Sequence, residues 1–187
     1  TLETSAGGIQ LVSVSAGELG DVSVTSAGAI TEDGNAATVV TGGGLVLTAV
    51  GGIDVDTAVG TISATTTGAG AIVIEESDGV SLKSVVAADG SISVSAGGDI
   101  VATKVESTTN SEENDVTLIT TAGDMTLGMV GKGDTRLFVV GEWDSKNLKW
   151  INYIWDLGFL GGLKLSASGS ITMDEDSGSH VSGDELR

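Results

Sequence analysis

The chain has 187 residues, no Cys and no Pro, and 26 acidic against 8 basic residues, a formal charge of −18. That balance repels phosphate backbones and anionic lipid, which speaks against nucleic-acid binding, and without Cys neither a disulfide framework nor a thiolate metal site can form. Apolar residues reach 40 % but aromatics only 3 %, so Val, Ile, Leu and Ala must fill the core where rings usually supply the bulk.

The first eight residues, TLETSAGG, have no basic and apolar leader pattern and do not begin with Met. They read as part of a processed or longer chain. Over residues 1–43, Gly8 leads to Ile9/Leu11, Asp21 to Val22/Val24, and AGAI reaches Ile30. The period-2 alternation (VSVT, later ISVS and VTLI) is a strand signal.

From Gly44 to Thr103 the pattern becomes a repeat. Apolar-x-apolar doublets stand at Leu45/Leu47, Ile53/Val55, Ile62/Ala64, Ile72/Ile74, Val80/Leu82, Ile92/Val94 and Ile100/Ala102, with onsets 8, 9, 10, 8, 12 and 8 residues apart. Gly stands one or two places before most onsets, where the chain must turn a corner. Taken in pairs the doublets repeat every 17 to 20 residues, the spacing of a stacked β-coil in which each coil buries its apolar side against its neighbours. The reading is one all-β solenoid over residues 1–187, with roughly eight coils, about 40 Å of stack and Thr and Ser ladders outside.

Two stretches break the beat. Residues 106–115 (ESTTNSEEND) are polar and acidic and read as a loop projecting from a corner. Val116/Leu118 and Met125/Leu127 resume the pattern. All six aromatics then fall between Phe138 and Phe159, with Lys132, Arg136, Lys146, Lys149 and Lys164 beside them. Within this segment 144–158 reads as an amphipathic helix. Asp144 or Ser145 would be its N-cap and Gly158 its stop, and Leu148, Ile151 and Trp155 would share one face; a strand is the second reading. The most apolar stretch is broken by Asn152, Asp156 and several Gly, so no membrane insertion is expected. Leu163/Leu165 and Ile171/Met173 return to the repeat, so the segment over about 138–161 is an excursion from one solenoid.

The repeats GGIDVDTAVGTISATTTG, GSISVSAGGDIVAT and GLKLSASGSITM resemble those of large exported adhesins and exoproteins of the filamentous-haemagglutinin type, over roughly residues 8–130 and 162–176. The resemblance implies a right-handed parallel β-helix, an extracellular or cell-surface location, and a shaft or adhesive role without catalysis. The Asn-Pro-rich secretion motifs of that family are not in this chain, which has no Pro, so the likeness is to a shaft segment only.

Candidate chemistry is thin. Gly51-Gly52-Ile53-Asp54-Val55-Asp56 is similar to the GGxGxD element of calcium-binding β-rolls, but Asp54 replaces its third Gly and no second copy follows. The clusters Glu75/Glu76/Asp78, Glu112/Glu113/Asp115 and Asp174/Glu175/Asp176 offer oxygen ligands for calcium; each reads as a solvated acidic corner, and no cofactor is expected. A polysaccharide-acting enzyme on a β-helix would need carboxylates at set separations, and abundant carboxylates do not discriminate. His180, in SGSHVSGD, reads as a solvated histidine of a flexible tail, not as part of a Ser-His-Asp triad. Thr65-Thr66-Thr67 reads as ladder-forming Thr in β-structure and not as an ice-binding face. Exposed coil ends without caps would be open sheet edges, prone to pairing with a neighbouring subunit in a filament, sheath or layer. Six rings do not fit in a narrow coil, so the excursion is expected outside it. There Trp143, Lys149, Trp150 and Tyr153 are the expected contact with a neighbouring subunit or a carbohydrate.

Overall fold

The computed structural model describes residues 1–35, 40–109, 111–132, 139–144, 149–154, 163–173 and 180–181. Its strands are β1 (Leu2–Thr4), β2 (Ile9–Gln10), β3 (Val14–Ser15), β4 (Asp21–Ser26), β5 (Ile30–Thr31), β6 (Val40–Ala49), β7 (Ile53–Ala69), β8 (Ile72–Glu76) and β9 (Val80–Asp89). They continue as β10 (Ile92–Ala96), β11 (Ile100–Ser107), β12 (Val116–Thr120), β13 (Met125–Lys132), β14 (Val139–Asp144), β15 (Lys149–Ile154), β16 (Leu163–Ser166), β17 (Ile171–Met173) and β18 (His180–Val181). All but β14 and β15 join one 16-stranded sheet, and every pairing within that sheet is parallel. The sheet is wound into a β-solenoid of about six turns. The described residues contain no helix.

Each turn has two main sides. The first ladder runs β2–β5–β7–β8–β10–β12–β16, and the second runs β1–β4–β6–β7–β9–β11–β13 and ends on β17 and β18. The long strand β7 belongs to both, because residues 53–57 pair with β8 and residues 61–69 with β9. Fewer turns form than the eight expected because residues 108–115 and 133–162 are spent between coils and not on further turns. Register partners on successive coils stand 19 to 24 residues apart over Ile53, Ile72, Ile92 and Val116.

Parallel stacking converts the sequence repeat into continuous apolar rows. Ile9, Ile30, Ile53, Ile72, Ile92, Val116 and Leu163 lie one above another in register. A second row on the same side is Val55, Ile74, Val94, Leu118 and Leu165. Opposite stand Val22, Leu45, Ile62, Leu82, Ala102, Leu127 and Met173. Every residue of the doublets between Leu45 and Ala102 is buried. Each fully buried Ile or Leu contributes about 1.5–3 kcal/mol of transfer free energy.

Outside, Thr25, Thr48 and Thr65 form the expected Thr column. Thr66 of the same Thr run turns inward and is 2 % exposed. Corners between the two sides are tight: a Cβ on Gly28 would come within 2.6 Å of the Gly7 backbone on the coil above, so only Gly lets those coils close.

Candidate functional site

The chain returns from the second ladder to the first at one corner of each coil. Gly70 and Ala71 make that corner between β7 and β8, and Gly90 and Ser91 make it between β9 and β10. On the next coil it lengthens to residues 108–115, and on the coil after that to residues 133–162. The departure points Ser107 and Lys132 are register partners, and so are the return points Val116 and Leu163. Both interruptions of the repeat therefore leave the solenoid at the same corner on consecutive coils. Insertions carried on one edge of a rigid repeat scaffold are where binding surfaces commonly arise.

The acidic insertion does not project freely. The Thr108 and Thr109 hydroxyls donate to the Ala88 carbonyl at 2.8 and 2.7 Å. Asn114, 6 % exposed, donates through Nδ2 to Asp89 Oδ1 at 3.0 Å and to the Thr109 carbonyl at 3.2 Å. The end of β9 leaves carbonyls open, and the polar loop residues satisfy them. Glu112 and Glu113 remain exposed.

The helix expected over 144–158 is not formed. Among its described residues, Lys149–Ile154 is strand β15, paired antiparallel with β14 in a separate two-stranded sheet. KWINYI is rich in aromatic and β-branched residues, which favour a pleated strand over a helix. Of the four expected contact residues, Trp143 pairs with Trp150 in register, Lys149 with Asp144 and Tyr153 with Val140. The antiparallel pairing brings Trp143 and Trp150 opposite each other although they stand seven positions apart. Tyr153 lies three positions along β15 from Trp150 and so has the opposite parity. Leu148 and Trp155, the other two residues of the expected helix face, lie outside the described residues.

The acidic corners divide into different environments. Asp54 is exposed and Asp56 half-buried on β7, and Asp56 stands in register with Glu75 of β8. Burial pushes the Asp56 carboxyl above its ordinary value, and the charges of Glu75, Glu32 and Asp54 push it further. Glu76, expected on a solvated corner, is instead buried, at 4 % exposure. It follows Ile72 and Ile74 with inward parity and stacks between Thr57 and Ala96. Its Oε2 accepts from Thr57 Oγ1 at 2.8 Å and from the Val59 amide at 3.1 Å, and its Oε1 accepts from the Asp78 amide at 3.3 Å. Burial raises its pKa, against the lowering effect of the bonds from Thr57 and Val59. The period-2 parity carried the signal for this placement.

A shallow concavity of about 250 Å³ lies beside this corner, lined by Asp56, Glu75, Glu76, Ser95 and Thr121 among others. Among the described residues no group of three or more His, Asp or Glu side chains has a geometry able to hold a metal ion. His180, expected in a flexible tail, lies in β18, in register with Met129; parallel pairing draws the segment onto the last coil. Asp174, Glu175 and Asp176 lie outside the described residues. No helix among the described residues is long and apolar enough to cross a membrane. Comparison of the chain with known protein families, with curated proteins and with solved structures gives no match.

Proposed function

We propose that the chain is a non-enzymatic structural and adhesive segment of a larger cell-surface or secreted protein, in which the solenoid is the shaft and the corner bearing residues 108–115 and 133–162 makes the contact. The observation that carries this reading is the shared register of the two insertions. A repeat that is otherwise regular departs from itself twice, on adjacent coils and at one edge, and the larger departure holds all six aromatics and five of the eight basic residues within or beside it (Lys132, Arg136, Lys146, Lys149 and Lys164). Rigid aromatic residues with neighbouring cations suit a carbohydrate or an acidic protein surface. Trp143, Lys149, Trp150 and Tyr153 are the residues assigned to that contact. Replacing Trp150 and Tyr153 together with Ser should leave the β-sheet circular dichroism unchanged and lower binding to a glycan panel or to neighbouring subunits by about tenfold or more. Loss of the sheet signal, or unchanged binding, would count against it.

A polysaccharide-acting enzyme is the second reading, and the concavity beside Asp56 and Glu76 favours it, since both carboxyls have raised pKa values. Glu76, however, already serves Thr57, Val59 and Asp78, which suits a structural carboxylate better than a general acid. Turnover of acidic glycans that is lost in Asp56→Asn would decide for the enzyme.

A further inference from the structure

We infer that one face of the β14–β15 hairpin is a subsite for a neutral saccharide, with Trp143 and Trp150 as its stacking positions and Asn152 beside Gly141 as its polar level. The inference rests on the contact reading above and names the ligand class and the face that takes it. In an antiparallel pair, directly opposed residues lie on the same face of the ribbon, and the faces alternate along each strand. The register therefore sorts the hairpin into two sets. Val139, Gly141 and Trp143 share a face with Ile154, Asn152 and Trp150. Val140, Glu142 and Asp144 share the other with Tyr153, Ile151 and Lys149.

The two sets differ in chemistry. The three charged residues of these strands, Glu142, Asp144 and Lys149, all fall in the second set. The first set is uncharged, and it holds two of the three Trp of the chain at one paired level. The next paired level of that face is Gly141 with Asn152. The four residues expected to act as one contact are thus divided, since Lys149 and Tyr153 belong to the face opposite the Trp pair.

An uncharged face of this make-up suits a sugar ring. The C–H face of a pyranose is apolar and weakly positive, and it complements the negative face of an indole. The Asn amide both donates and accepts, as a sugar hydroxyl does. Gly141 adds no side chain, so the level beside the two Trp positions keeps room for a ring. A mostly apolar surface with few polar groups is the usual composition of a small-ligand site. Charge selects among saccharides. On a chain of net charge −18, a face without a cation does not offset the repulsion of a uronate or sulfate chain, and it complements a neutral one.

Titration of the 187-residue chain with gluco-, galacto- and manno-oligosaccharides, and with polygalacturonate and heparin as anionic probes, tests this by calorimetry and Trp fluorescence. The expected result is binding to at least one neutral series, unchanged between about 0.1 M and about 1 M salt. Trp150→Ala and Asn152→Ala should each weaken it about tenfold. Lys149→Ala combined with Tyr153→Ser should leave it within about twofold. Gly141→Val separates a subsite from a Trp pair that only holds the hairpin: Val favours a strand, so the hairpin is kept, but the added side chain fills the level beside Asn152 and binding should be lost. If Trp150→Ala disorders the hairpin, Asn152→Ala and Gly141→Val retain both Trp and keep the test valid. Binding to the anionic probes alone, or neutral binding that survives Asn152→Ala and Gly141→Val, would overturn the proposal. A chain that binds no saccharide but associates with its own copies, and loses that association on replacing Trp150 and Tyr153 with Ser, removes this inference alone. Saccharide binding that this double replacement leaves unchanged removes the contact reading itself.

Discussion

Ser107 and Lys132 are register partners on adjacent coils, and at each of them the chain leaves the solenoid. The coil below continues from Val116 and the coil above from Leu163, again in register. Nothing in the parallel ladder needs to yield at either departure, because the strands before and after it keep their register; two earlier coils turn the same corner with Gly70-Ala71 and Gly90-Ser91. The stack and the insertions are therefore separable in energy, and the stability of one is expected to be nearly independent of the other.

Removing the clasp of the first insertion tests that separation. Asn114→Ala takes away two hydrogen bonds and leaves Asp89 without its Asn114 donor at the end of β9. The expected cost is about 1–2 kcal/mol. Amide exchange should accelerate over residues 108–114 and stay unchanged over β10 and β12. Faster exchange along the whole stack would mean that the loop is part of the core.

Glu76 gives the fold a distinctive pH response. A carboxyl whose folded pKa is raised binds its proton more tightly in the native state than in the unfolded one. Between the ordinary value of 4.5 and the higher folded value the native state therefore holds the extra proton, so stability falls as pH rises through that window. Asp56 acts in the same direction. Glu76→Gln keeps one oxygen to accept from Thr57 and Val59 but carries no charge, and thermal melts across that window should show a weaker loss with rising pH than the parent shows. Glu76→Ala should instead cost about 2–4 kcal/mol, since it orphans the buried Val59 amide, leaves the Thr57 hydroxyl only its longer bond to the Glu75 carbonyl and opens a cavity. A parent and Gln variant with parallel pH profiles would contradict this account of Glu76.

The register of the rows is tested by placing one charge at two neighbouring levels. Ile72 is fully buried in the Ile row, and its amide bonds to the Ser91 carbonyl at 2.9 Å. Ile72→Asp puts an unpaired charge into the stack and should cost at least about 3 kcal/mol. Ser91, half-buried at a corner, should tolerate Asp within about 1 kcal/mol. Urea titrations of the two variants measure the difference, and equal effects would mean that the rows are wrongly assigned.

Much of this fold was legible in the letters. The doublets marked the inward positions because period-2 alternation and stacking obey the same parity, and Ile53, Ile72 and Ile92 stand where that parity puts them. Glu76 obeyed the parity too, but its chemistry suggested water; only the neighbouring coil, through Thr57 and Val59, supplies the partners that let it enter. The aromatic segment failed as a helix because i, i+3, i+7 spacing coexists with alternation in a short stretch, and the pairing that decides between them is with β14, ahead in the chain. The common corner of the two insertions was not visible in sequence, since Ser107 and Lys132 become neighbours only once the coil length is known.

The central claim is that an inert stack presents one binding corner, and replacing residues 133–162 with the Gly-Ser pair that makes the same corner at Gly90-Ser91 tests it most directly. Binding of the shortened chain to the glycan panel or to neighbouring subunits is then compared with that of the parent, alongside its melting curve and circular dichroism. The account expects a folded solenoid with a melting temperature close to the parent's and binding that is lost. A shortened chain that binds as well as the parent, or one that no longer folds, would contradict it.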